Sequence, residues 1–76
     1  MPRPVAAQAR PIFRIYLRYD DGVEGEIDLS DLAGRGVFKA WEDAGVFDSV
    51  QIKPYRALAW DGDIELCADE LYMHLT

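Results

Sequence analysis

Between Phe13 and Leu29 the chain changes character at every second residue. Phe13, Ile15, Leu17 and Tyr19 are apolar and Arg14, Tyr16 and Arg18 alternate with them, which is the period of a half-buried strand. Asp20-Asp21-Gly22 follows, and Asp-Gly between alternating segments is a strong hairpin signal. On the return, Val23, Ile27 and Leu29 alternate with Glu24, Glu26 and Asp28. Such a hairpin must cover its apolar face, and 76 residues leave room for one small domain in which to do so.

The rest of the chain supplies the cover. Asp28-Leu29-Ser30-Asp31-Leu32 takes the strand into a turn, where Asp and Ser side chains satisfy free amides. Gly34 and Gly36 flank Arg35. Val37, Phe38, Trp41 and Ala44 then lie at helical spacing with Lys39, Glu42 and Asp43 outside, and Gly45 is placed to end the helix. Val46 and Phe47 lead into a second strand pair. There Val50 and Ile52 alternate with Gln51 and Lys53, Pro54 interrupts, and Arg56 to Trp60 resumes. Asp61-Gly62 is a further turn, and Ile64 and Leu66 flank Glu65 in a last strand. Ala68 to Leu75 places Leu71, Tyr72 and Leu75 on one helical face, with Asp69 and Glu70 in the favourable first turn.

This order predicts an α+β fold: a small antiparallel sheet of β-hairpins, with one central helix and a short C-terminal helix packed on one face. Residues 12–76 make the domain. Residues 1–11, with Pro2, Pro4 and Pro11, make an N-terminal arm or edge strand. Trp41 and Trp60 are expected to share one core with Phe13, Ile15, Leu17, Phe38, Phe47 and Leu71.

The run Trp60-Asp61-Gly62-Asp63-Ile64-Glu65-Leu66-Cys67-Ala68-Asp69-Glu70-Leu71-Tyr72 resembles the close of bacterial domain-of-unknown-function family 2442. Earlier elements are similar too: Tyr19-Asp20-Asp21-Gly22, Asp28-Leu29 with Leu32, Gly36-Val37-Phe38 and Val46-Phe47. The resemblance runs from about Ile12 onward. It implies a small α+β domain, often encoded alone or beside another small protein, and it implies no activity.

No familiar catalytic constellation stands in the sequence. His74, the single histidine, reads as a surface residue near a helix C-terminus, because acid-base work needs an oriented partner and a pocket. Cys67 has no basic neighbour to activate a thiolate, and reads as a small buried residue. As the single cysteine it forms no internal disulfide. Ser30 lacks a G-x-S-x-G context and reads as a cap or turn residue. Asp61, Asp63 and Glu65 alternate, but a calcium loop begun at Asp61 would need glycine and glutamate where Leu66 and Tyr72 stand. Gly34-Arg35-Gly36 lacks the spacing and lysine of a phosphate loop. Neither an enzyme, a cofactor nor a metal is expected. No stretch approaches a membrane span and the first residues have no apolar run of signal-peptide length, so a soluble cytoplasmic protein is expected.

Charge narrows the class further. Half the residues are hydrophobic and 29% are charged, with a net charge of −6, which opposes independent binding to a phosphate backbone. Residues 1–19 carry four arginines and no acid, whereas residues 20–49 carry nine acids against Arg35 and Lys39. The basic first strand can pair across the hairpin with the acidic second one. Arg14 and Arg18 with Tyr16 form the one feature suited to nucleic acid, and the acidic strand beside it cancels its field. Asp20, Asp21, Glu24, Glu26, Asp28 and Asp31 are therefore the expected partner-binding residues. The expectation is a non-enzymatic interaction module that engages a basic surface on a larger protein. If that surface belongs to a nucleic-acid-binding effector, the module inhibits it by occlusion or charge mimicry, in the manner of antitoxins and phage inhibitors of CRISPR effectors. The alternatives are an accessory module acting by strand addition or oligomer assembly, or a nucleic-acid-associated regulator. Taken alone, the acidic charge is more simply accounted for by ordinary solubility, and the absence of a catalytic constellation is what turns the reading toward binding.

Overall fold

Ile15, Leu17 and Tyr19 leave solvent almost completely, whereas the alternate positions hold exposed Arg14 and Arg18 and half-buried Tyr16, so the period-two pattern becomes a strand with one wet face. The computed structural model describes residues 2–33, 35–43, 45–61 and 64–76, with Val37 described by its backbone alone. The strands are β1 (Pro4–Arg10), β2 (Arg14–Tyr19), β3 (Glu24–Asp28), β4 (Gln51–Lys53), β5 (Ala57–Trp60) and β6 (Ile64–Cys67). Helix α1 (Ala68–Leu75) follows β6 directly, and 3-10 helices span Gly36–Glu42 and Phe47–Ser49.

The chain is an α+β structure with two three-stranded antiparallel sheets, ordered β1-β2-β3 and β4-β5-β6, rather than the one sheet expected. No strand intervenes among the described residues between β3 and β4, so each group of three pairs within itself. Pro4–Arg10 takes the free side of β2 and becomes the edge of the first sheet. It also packs against β4 and the Phe47–Ser49 turn, where the two sheets meet. α1 packs against β3 and β5 and so spans both sheets.

The Asp20-Asp21-Gly22 turn joins β2 to β3. Gly22 has φ 90°, which an L side chain rarely adopts, and the Tyr19 N–H closes the turn on the Val23 carbonyl at 2.8 Å. The return strand pairs Ile15 with Ile27 and Leu17 with Gly25. A Cβ at Gly25 would come within 2.9 Å of Leu75 Cδ2, so the missing side chain lets the end of α1 lie down on β3.

Two local expectations are corrected. The central segment is a 3-10 helix, not an α-helix. Phe38 and Trp41 are three apart, a spacing both helix types accept, and Arg35 at the N-cap makes no side-chain capping bond and no acid occupies the first turn. A segment this short nucleates an α-helix poorly, while in a 3-10 helix positions i and i+3 eclipse. The Phe38 and Trp41 rings accordingly sit 5.0 Å apart. Phe13 lies outside β2, in the Pro11–Phe13 turn, where Ile12 and Phe13 have φ of 61° and 57°. Parts of the sequence reading that rest on Gly34, Ala44, the Val37 side chain, Gly62 and Asp63 lie outside the described residues.

The core joins both sheets, α1 and the central segment. Trp41, Phe47 and Trp60 are buried among Ile15, Leu17, Leu58 and Leu71, with Phe13 and Phe38 half-buried against them. Ring centres lie 4.9 Å apart for Trp41–Trp60 and 5.4 Å for Phe13–Phe47, within the range of favourable aromatic pairs. Trp60 Nε1 donates to the Phe47 carbonyl at 2.9 Å. All four residues of β5 are buried, as a central strand covered on both faces requires. No helix among the described residues is long and apolar enough to cross a membrane.

Candidate functional site

The row of acids on β3 does not stand alone. Glu24 faces Arg18 across the ladder with the charged atoms 3.9 Å apart, and Asp28 faces Arg14. Arg10 reaches from β1 to Glu26 at 3.7 Å, passing over the Tyr16 ring with 5.4 Å to its centre. The outer face of the first sheet is therefore a mosaic of paired charges. Each exposed pair contributes only ~0.2–1 kcal/mol, but together they remove most of the net field of Glu24 and Glu26.

At the turn, Asp20 accepts from the Arg3 backbone N–H at 3.2 Å. Asp21 accepts from the Tyr72 hydroxyl at 2.6 Å and from the Val23 N–H at 3.0 Å. The Tyr72 hydroxyl, and after it the Val23 amide, hold the Asp21 carboxyl below the usual carboxylate range. The same bond pushes the Tyr72 hydroxyl up. These two acids tie the hairpin to β1 and α1.

Asp28 and Asp31 belong to a different place. A groove of about 270 Å³ runs between the end of β3 and its following turn on one side and β6 and α1 on the other. Ile27, Leu29, Leu32, Leu66 and Leu71 make it apolar, and Asp28, Asp31, Glu70 and His74 stand among them. Alternation on β3 sends Ile27 inward, the turn brings Leu32 back over it, and the helical period puts Glu70 and His74 on one face of α1. The Ser30 side chain, then its N–H at 2.9 Å, hold Asp28 in its charged form, with Arg14 adding to the effect.

The six acids singled out in the sequence thus divide into three groups. Asp20 and Asp21 brace the turn, Glu24 and Glu26 are paired with arginines, and Asp28 and Asp31 flank the groove. Sequence reasoning missed Glu70, Leu32 and Leu66 as neighbours of this site. Their signal was the i, i+4 spacing of Glu70 and His74, and apolar positions left over once the core was filled. His74 lies exposed in the last turn of α1. Cys67 is exposed, not buried as expected: alternation along β6 puts it on the outward face with Glu65, and Ala68 fills the core position instead.

No curated protein and no solved structure matches this chain. The family model described as "Protein of unknown function (DUF2442)" matches residues 4–76, which takes in all six strands and α1. The chain belongs to the DUF2442 family.

Proposed function

We propose that this chain is a non-enzymatic, cytoplasmic interaction module that takes a basic segment of a larger protein in the groove between β3 and α1. The observation that carries the reading is the coincidence of an apolar floor with three carboxylates, Asp28, Asp31 and Glu70, at one groove. The floor offers burial to an aliphatic or aromatic anchor, and the carboxylates select lysine or arginine beside it. Where the bound segment normally grips nucleic acid, occupying it inhibits the partner by occlusion. Glu24 and Glu26 contribute little, because Arg18 and Arg10 already neutralise them.

A second observation favours an extended conformation for the bound segment. β3 and β6 are edge strands of their sheets and both border the groove, so a segment lying there can add to either edge.

A photo-crosslinking residue at position 32, compared with one at position 51, tests the reading in host cells. The expected result is an adduct from position 32 only, to a peptide rich in lysine or arginine. D31K/E70K should abolish that adduct, and E24K/E26K should retain it. Adducts from position 51 alone, or to an acidic peptide, would overturn the reading.

A further inference from the structure

Eight basic side chains serve a protein with fourteen acids, so a basic group without a carboxylate calls for a reason. Arg10 and Arg18 form cross-strand pairs and Arg14 stands opposite Asp28. Three others gather elsewhere. At the seam where β1 packs on β4, Arg3, Lys53 and Arg56 line a cleft of about 340 Å³ together with Pro4, Ile52 and Pro54. Among the described residues no carboxylate lines it.

The cations are supplied by anchored backbone. Both main-chain groups of Arg3 are tied to Asp20, its N–H at 3.2 Å and its carbonyl at 2.9 Å. Its side chain has no carboxylate within ion-pair distance among the described residues. Lys53 Nζ donates to the Gln51 amide oxygen at 3.3 Å and has no carboxylate within ion-pair distance among the described residues. Arg56 has φ 60°, a conformation that suits glycine, and is held there by its N–H on the Lys53 carbonyl and by the Ala68 N–H on its own carbonyl. An arginine at a glycine position points to use of its side chain. Its guanidinium lies 3.9 Å from Asp69 on one side, and a fork of five N–H donors has others to offer.

We infer that this cleft binds a small organic anion, a carboxylate or phosphate carried on an apolar body. Arg3, Lys53 and Arg56 meet the charge, and Pro4, Ile52 and Pro54 receive the body. Guanidinium groups bind both head groups through paired N–H donors, and the volume lies within the range of small-molecule sites. The site is separate from the groove and does not depend on the function proposed for it.

The test is titration of the isotope-labelled full chain, followed by amide NMR shifts, with phenyl phosphate, benzoate, inorganic phosphate and benzylamine as probes. Phenyl phosphate or benzoate should shift the Arg3, Ile52, Lys53 and Arg56 amides saturably, the tighter of the two naming the head group, and benzylamine should not. R3A and K53A should each weaken binding about tenfold, the loss of one charge-assisted contact. R56G should melt no lower than the parent yet bind more weakly, which a purely structural role for Arg56 would not produce. Absence of saturable shifts at these amides, or unchanged affinity in R3A and K53A, would overturn the proposal. Inorganic phosphate binding as tightly as phenyl phosphate would overturn the part given to the apolar wall.

Discussion

The Tyr19 hydroxyl donates a 2.5 Å hydrogen bond to the backbone carbonyl of Ala68, joining residues 49 positions apart. It fastens the middle strand of the first sheet to the point where the second sheet turns into α1. The Tyr19 ring also meets the Tyr72 ring edge-on at 4.9 Å.

Tyr19→Phe removes this tie, while the Ala68 carbonyl keeps the Tyr72 N–H of the first helical turn, and should cost about 0.5–1.5 kcal/mol in urea unfolding. Burial, and after it the Asp69 carboxylate, push the Tyr19 hydroxyl up to about 12. A group raised on folding contributes stability that is complete below its unfolded value of 10.0 and is lost as pH rises toward the folded one. The parent should therefore weaken between these limits. Tyr19→Phe should show a shallower alkaline slope, with a remainder of the same sign from Tyr55 and Tyr72. Identical slopes would refute the assignment.

The two tryptophans should respond differently to the same change. Trp60→Phe removes the donor to the Phe47 carbonyl, whereas Trp41 Nε1 is buried with no acceptor among the described residues. Both variants lose similar volume, so Trp60→Phe should cost at least about 1 kcal/mol more than Trp41→Phe. Trp60→Ala should cost ~3–5 kcal/mol, much of the ~5 kcal/mol a small domain commands, and unfold a large share of the population. Chemical denaturation of all three decides the matter.

Ile12 is 78% exposed, so its side chain packs little while its φ of 61° carries a steric cost. Ile12→Asn keeps the left-handed conformation more comfortably and should gain about 1 kcal/mol, raising Tm by roughly 4–8 °C. Phe13→Asn should do the opposite, because the Phe13 ring packs on Trp41 and Phe47. Thermal melts that move in one direction for both would sink the argument.

Reversing Glu24 and Glu26 breaks two exposed cross-strand pairs and sets like charges opposite each other. The cost should stay near ~1 kcal/mol per site, leaving a cooperative transition. D31K/E70K meets no ion pair among the described residues and should leave Tm almost unchanged. A collapse of either double variant would show that these carboxylates hold the fold.

Alternation and turn chemistry carried most of the strand assignment: β2 and β3 follow the period of the side chains, β5 is a short continuous apolar run, and α1 follows its acidic first turn. β1 was less legible. Pro4 to Arg10 has small apolar residues and its strand state is decided by the vacant edge of β2, a tertiary circumstance. The 3-10 form of Gly36–Glu42 escaped notice because i+3 spacing fits two helices. For the site, acidity was visible residue by residue, but which acids find arginines depends on register across three strands. Glu26 meets Arg10, and those residues belong to the two outer strands of the sheet.

Trp41 comes from the central 3-10 segment and Trp60 from the second sheet, yet their indoles lie 4.9 Å apart at a tilt of 53°. Two chromophores so close and so inclined interact electronically, and near-ultraviolet circular dichroism senses that coupling. The protein therefore carries an internal optical gauge, which reads whether the central 3-10 segment is seated on the second sheet without any added label.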